Sequence, residues 1–176
     1  MAVIEAIETV YMEQDAASVT FSSLGSYEHL QIRVSGRQTA SGSGGSSLYI
    51  RFNGDTGSNY STQTIQAYNG ANTGADPYAG QAFIYAGGRI TGQILTPGPY
   101  NYGTSVLDIL DYRNANKNTT IQQMSGVVDD YQGDSFLWFS SSLWDNTDAL
   151  TSILLYPPSG SLVRGTEMTL YGLASS

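Results

Sequence analysis

The chain offers few side chains for catalysis. His29 is its only histidine and it has no cysteine, so any nucleophile–imidazole–acid relay would have to pass through that one ring. No Gly-x-Ser-x-Gly segment supplies a nucleophile elbow. A single imidazole without thiolates cannot provide the usual zinc ligand set. The 15 acidic residues allow a glycosidase pair by number. Such a pair must sit about 5 Å or about 6.5–9.5 Å apart in a cleft. Asp108 and Asp111 read as strand residues facing opposite ways, and Asp129 and Asp130 read as turn residues. Asn53, Asp55 and Asn59 place oxygen ligands close together, as a calcium loop does. Their spacing departs from the Asp-x-Asp-x-Asp-Gly form, and a tight turn held by Asx bonds is the expectation. Tyr100, Tyr102, Trp138 and Trp144 have ring faces suited to sugars or to protein interfaces. Trp138 lies in an apolar run and is expected in a core. Tyr100 and Tyr102, on a loop bounded by Pro and Gly, are the better exposed contacts. The expectation is therefore no catalytic residue, no cofactor and no metal.

Charge narrows the partners. Only 12% of residues are charged, the formal net charge is −8, and Lys117 is the only lysine. No basic stripe is present to neutralise phosphates, so nucleic acid is not an expected partner. An acidic surface is also repelled by anionic membranes. No run approaches the roughly 20 apolar residues of a membrane-spanning helix. The first eight residues, Met-Ala-Val-Ile-Glu-Ala-Ile-Glu, do not read as a signal peptide. The two Asn-x-Ser/Thr triplets at Asn59 and Asn118 are then chance matches.

These residues sit on a strand-rich chain. Leu48, Ile50 and Phe52 alternate with Tyr49, Arg51 and Asn53, which predicts a strand with one buried and one wet face. It runs into Asn-Gly-Asp-x-x-Gly-x-Asn, a turn sequence. Leu30, Ile32 and Val34 alternate in the same way with Gln31, Arg33 and Ser35, so Arg33 and Arg51 should reach a wet face, where they are free to pair with a partner subunit. Residues 7–13 and 18–22 predict a hairpin. Strands are also expected over 62–68, 81–85, 89–95, 105–113, 119–128, 136–139, 150–156 and 167–173. The Asn-rich segment 114–118 closes a hairpin between two of them. The Gly/Ser-rich segment 36–46 and the Gly/Asn/Asp/Pro-rich segment 69–80 read as loops, and Pro97-Gly98-Pro99 as a break. With 20 glycines, 13 tyrosines and no long helical stripe, the pattern is that of a sandwich or barrel. The expectation is a single antiparallel β-sandwich domain over residues 1–176.

One feature does not suit a solitary sandwich. Phe136, Leu137, Trp138 and Phe139 are apolar on both faces, and so are Ile153, Leu154 and Leu155. An antiparallel sandwich normally wets one face. Either a loop of the same chain covers the outer side, or another subunit does.

Several segments together resemble a family of tailed-phage virion proteins. They are Ala17–Ser23 (Ala-Ser-Val-Thr-Phe-Ser-Ser), Tyr27-Glu28-His29-Leu30-Gln31-Ile32, the run Leu48 to Ser61 containing Arg-Phe-Asn-Gly-Asp-Thr-Gly-Ser-Asn-Tyr-Ser, and the closing Gly165-Thr166-Glu167-Met168-Thr169-Leu170-Tyr171-Gly172-Leu173. Leu173 stands where that family more often has Ile, and residues 69–104 match nothing in it. The resemblance implies a β-sandwich of jelly-roll type that decorates capsids as a trimeric cement protein or sits on tail fibres.

A compact domain without a coiled-coil or glycine-repeat stem favours the capsid. The resemblance thus implies a non-enzymatic decoration protein, synthesised in the host cytoplasm. It would bind the major capsid protein on the outer surface of an icosahedral phage head as a homotrimer and stabilise the shell. Segments 36–46 and 69–80 and the N-terminal strand are its expected contact regions. A receptor- or carbohydrate-binding module of a tail fibre is the alternative, and a polysaccharide depolymerase is a third class.

Overall fold

The structure is a computed structural model that describes residues 3–41, 45–68, 72–84, 89–93, 101–128 and 135–174. These residues form thirteen strands and no helix: β1 (Val3–Tyr11), β2 (Val19–Phe21), β3 (His29–Ser41), β4 (Gly45–Ser47), β5 (Tyr49–Phe52), β6 (Tyr60–Tyr68), β7 (Asn72–Gln81), β8 (Arg89–Gln93), β9 (Gly103–Leu110), β10 (Thr119–Val128), β11 (Ser135–Trp144), β12 (Ile153–Tyr156) and β13 (Glu167–Ala174). The large sheet runs β1-β13-β3-β9-β10-β11-β6-β7, with β8 and β4 branching from the far half of β3. The small sheet is β2-β12-β5. The fold is an all-β sandwich. Eight strands in one path against three in the other do not by themselves make a jelly roll.

The core lies between the small sheet and the part of the large sheet opposite it. Phe21, Ile50, Phe52, Ile153 and Leu155 of the small sheet are buried with Leu30, Ile32, Leu107, Ile109, Met168 and Leu170 of the large one. Alternation dictates this. In β3, Leu30, Ile32 and Val34 are buried while Arg33 and Ser35 are exposed, and in β5 Ile50 and Phe52 are buried between half-buried Tyr49 and Arg51.

Four local expectations need correction. β1 and β2 do not form a hairpin. β1 pairs with β13, and β2 pairs with β12 in the other sheet. Segment 36–46 is not a loop throughout, because β3 continues to Ser41 and β4 begins at Gly45. Ser and Gly are poor strand formers, but β8 provides a ladder for both strands. Segment 69–80 contains β7, a sheet edge paired along β6. Pro77 is tolerated there because an edge strand needs no donor on its outer side. The strand expected over 81–85 is absent: Gln81 ends β7, and Ile84 makes only an isolated bridge to Ile50. Tyr85, Ile94, Leu95, Pro97-Gly98-Pro99, Tyr100, Asp129 and Asp130 lie outside the described residues.

Candidate interaction surface

The Asn-Gly-Asp turn is a structural staple. Asn53 and Gly54 both take positive φ, 52° and 69°, a conformation that Asn and Gly tolerate best. Asn53 Nδ2 donates to the Ala149 carbonyl (3.0 Å), and its Oδ1 accepts from the amides of Thr151 (2.8 Å) and Ser152 (3.2 Å). Asp55 Oδ1 accepts from the Gly57 amide (2.8 Å), and its Oδ2 accepts from Asn59 Nδ2 (2.9 Å) and Trp144 Nε1 (2.8 Å). Hydrogen bonds from Asn59, Trp144 and the Gly57 amide hold the Asp55 carboxyl below its ordinary range. Tyr60 Oη accepts from the Phe52 amide (3.1 Å), and burial pushes its pKa up to about 12. With both Asp55 oxygens committed to donors inside the turn, these residues form the Asx turn expected of them, not a set of ligands turned toward an ion.

The histidine is committed as well. His29 Nδ1 accepts the Asp111 amide (3.0 Å), and Glu28 and Asp111 flank the ring on opposite nitrogens. Ligand atoms of the three residues lie within 4.8 Å of one another. However, Asp111 Oδ2 is paired with Lys117, whose hydrogen bond holds the Asp111 pKa down. Asp111 also sits beyond the end of β9 with φ 49°, not on the strand. Asp108 accepts from Gln31 Nε2 (2.8 Å) instead. Each of these carboxylates is engaged by a donor of the same chain.

The two arginines keep within the chain. The Arg33 guanidinium lies over the Tyr171 ring (4.9 Å to its centre). Arg51 Nε donates to the Ala82 carbonyl (2.9 Å), and its guanidinium lies over Tyr156 (5.1 Å). Trp138 and Trp144 are both buried. Tyr102 Oη donates to the Arg164 carbonyl (2.8 Å). It borders an open cleft of about 800 Å³ together with Asn101, Thr104, Val128, Phe136 and Leu137.

The largest departure from an ordinary sandwich lies on the outer face of the large sheet. Registers carry one row of side chains across it: Thr169, Arg33, Val106, Met124, Phe139, Ile65 and Ala75, on β13, β3, β9, β10, β11, β6 and β7 in turn. The row changes from polar and charged to apolar between β3 and β9 and stays apolar to the edge. Met124 (56% exposed), Phe139 (50%) and Ile65 (61%) lie side by side, with Leu137 (59%) and Val128 (66%) on the adjoining rows. Among the described residues, no loop covers these side chains. Sequence reading found the apolar run at 136–139 but not its neighbours, because Met124 and Ile65 stand singly among polar residues and join the patch only through strand pairing.

The adjacent inner row runs the opposite way. Leu170, Ile32 and Leu107 are apolar, but Gln123, Ser140, Thr64 and Asp76 follow on β10, β11, β6 and β7. Gln123, Ser140 and Thr64 are nonetheless buried, as are Ser125, Ser142 and Thr62. Thr62 and Ser142 hydrogen-bond each other across the strands (3.0 Å). The inner face of β10, β11 and β6 thus mixes these small polar groups with buried Ile121, Val127, Trp138, Trp144 and Tyr60, while Met124, Phe139 and Ile65 point out.

Comparison with protein-family models, curated proteins and solved structures finds no match for this chain.

Proposed function

We propose that this chain is a structural, non-enzymatic virion protein that decorates the outside of an icosahedral phage head as a homotrimer and strengthens it by binding the major capsid protein. The resemblance in residues 17–61 and 165–173 supplies the virion class. The observation that favours a binding role is the uncovered apolar half-face of the large sheet, beside a histidine and carboxylates already committed to internal bonds. A protein that binds only the assembled lattice lowers its free energy by mass action. A trimer engages several lattice sites at once, so weak contacts act together. The direct test is binding of the purified protein to heads that lack it. Saturable binding with raised thermal stability of the heads supports the reading, and no binding refutes it.

One observation favours a tail-fibre module. The cleft beside Tyr102 combines an aromatic ring with the polar groups of Asn101, Thr104 and Ser135, a mixture suited to sugar rings. Binding to a glycan array, lost in Tyr102→Ala, together with failure to bind heads, would establish that alternative.

A further inference from the structure

The two halves of the large sheet differ in their outer faces, polar and charged at Thr169 and Arg33 but apolar from Met124 to Ile65, and this is a statement about surroundings. Strands place apolar side chains where water is excluded, because each buried large side chain gains roughly 1.5–3 kcal/mol. The half formed by β13, β3 and β9 follows that rule within a single chain. The half formed by β10, β11, β6 and β7 follows it only if its outer face is also buried.

We infer that copies of this chain pack against one another through the outer face of β10, β11 and β6, with Met124, Phe139, Leu137 and Ile65 at the centre of the contact. This rests on the self-association in the proposed reading and assigns its surface.

Charge selects a second copy as the occupant. The chain carries a net charge of −8, so copies repel wherever carboxylates face each other. On the outer face of these four strands, the register-matched positions are Thr120, Gln122, Met124, Gly126 and Val128 on β10, Ser135, Leu137, Phe139, Ser141 and Leu143 on β11, Ser61, Gln63, Ile65 and Ala67 on β6, and Thr73, Ala75 and Pro77 on β7. None is ionisable, and the carboxylate that borders them in register, Asp108 opposite Gln122, is held by Gln31 at the rim, so like charges do not meet at the centre of the contact.

Area supports the same occupant. Five large side chains about half exposed present on the order of 500 Å² of apolar surface, near the top of what a monomer leaves bare. The neutral rim of Gln63, Gln122, Ser141 and Thr104 extends this toward the roughly 800 Å² per partner of a stable interface. Shape fits too. The same patch on each of three copies can converge on a three-fold axis, each meeting its neighbour's, and Gly126, beside Leu137 in register, leaves a low point for a facing side chain.

The wild-type protein provides the first test. Met124 is exposed in the single chain, whereas Met12 and Met168 are buried and act as internal controls. Mild peroxide treatment across a dilution series, read by mass spectrometry, should show Met124 protected at high concentration and oxidised on dilution, in step with the mass from sedimentation. The second test uses Phe139→Gln and Met124→Gln, which alter side chains already in water. Each should weaken association by about tenfold or more while near-ultraviolet circular dichroism stays that of the native fold. Arg33→Gln, on the charged half of the same face, should leave association unchanged. A wild-type oligomer indifferent to both patch variants overturns the assigned face and leaves the trimer standing. A monomer whose Met124 is protected only on phage heads gives the face to the shell and overturns self-contact. An oligomer dispersed by the variants but unable to bind heads upholds this inference and refutes the virion role.

Discussion

The halves of the large sheet on either side of the β9–β10 boundary are hydrogen-bonded into one ladder yet present different outer faces. On one side Leu170, Ile32 and Leu107 face the small sheet, Arg33 faces outward, and Thr169 beside it is buried against Thr9. On the other, Gln123, Ser140 and Thr64 face inward among buried Ile121, Trp138 and Trp144, and Met124, Phe139 and Ile65 face outward. Backbone pairing is indifferent to this difference, because the ladder uses only amides and carbonyls. Side chains report what covers each face. The first half is a core closed within the chain, whereas the second leaves a large apolar outer face exposed.

Substitutions along the two rows test that contrast. The largest effect belongs to the closed half. Ile32→Ala should lower the unfolding free energy by about 2–5 kcal/mol, the cost of a cavity in a packed core, as measured by denaturant midpoint. Next are the elements that anchor this half to its surroundings. A Cβ at Gly172 would overlap the Tyr27 ring packed on it. Gly172→Ala should therefore cost about 1–3 kcal/mol.

Asp55→Ala removes three hydrogen bonds and strands the Trp144 indole N–H, at a cost of about 1–3 kcal/mol. The Asp55 carboxyl also contributes to acid sensitivity. Because its folded pKa is depressed, its contribution is complete above the ordinary value of about 3.9. It is lost as pH falls through the lower folded pKa, when the folded state must take up a proton it resists. A urea midpoint followed from pH 6 to pH 2 should fall less steeply in Asp55→Asn than in the wild type.

The half with the exposed face predicts smaller effects of unusual sign. Ser140 Oγ is buried without a hydrogen-bond partner among the described residues. Ser140→Ala should leave stability unchanged or raise it by up to about 1 kcal/mol, since a hydroxyl that makes no bond is removed. Smallest of all, Phe139→Gln should change the stability of the dilute, monomeric protein by no more than about 0.5 kcal/mol. A loss comparable to that of Ile32→Ala would show that the outer face is core after all and would erase the contrast between the halves.

Much of the fold was legible in short stretches of sequence. The Leu48–Phe52 and Leu30–Val34 alternations give their strands and buried faces correctly, and the Asn-Gly-Asp turn forms with its Asx bonds. The hairpin of β9 and β10 also forms. The misses share a cause. β7 and the end of β3 consist of residues with low strand propensity, and their partners, β6 and β8, supply the ladder that makes them strands. β1 and β2 are near neighbours in sequence but are claimed by β13 and β12, and that competition is nonlocal. Tyr27 and Gly172, in two of the segments that carry the phage resemblance, meet ring to backbone across 145 positions (172 − 27), a contact that neither segment reveals.

The sequence by itself determined an acidic, cysteine-free, strand-rich chain with half-buried strands, and it flagged residues 136–139 as apolar on both sides. It could not say which side of a strand such as Phe136–Phe139, apolar on both faces, is inside. A run apolar at every position reads the same whichever face is buried. That assignment depends on the strands beside it and on what lies above them. Only the tertiary structure brought Ile65, Met124 and Phe139, from three separate strands, into one exposed row, and placed the hydroxyls of Thr64 and Ser140 on the buried side.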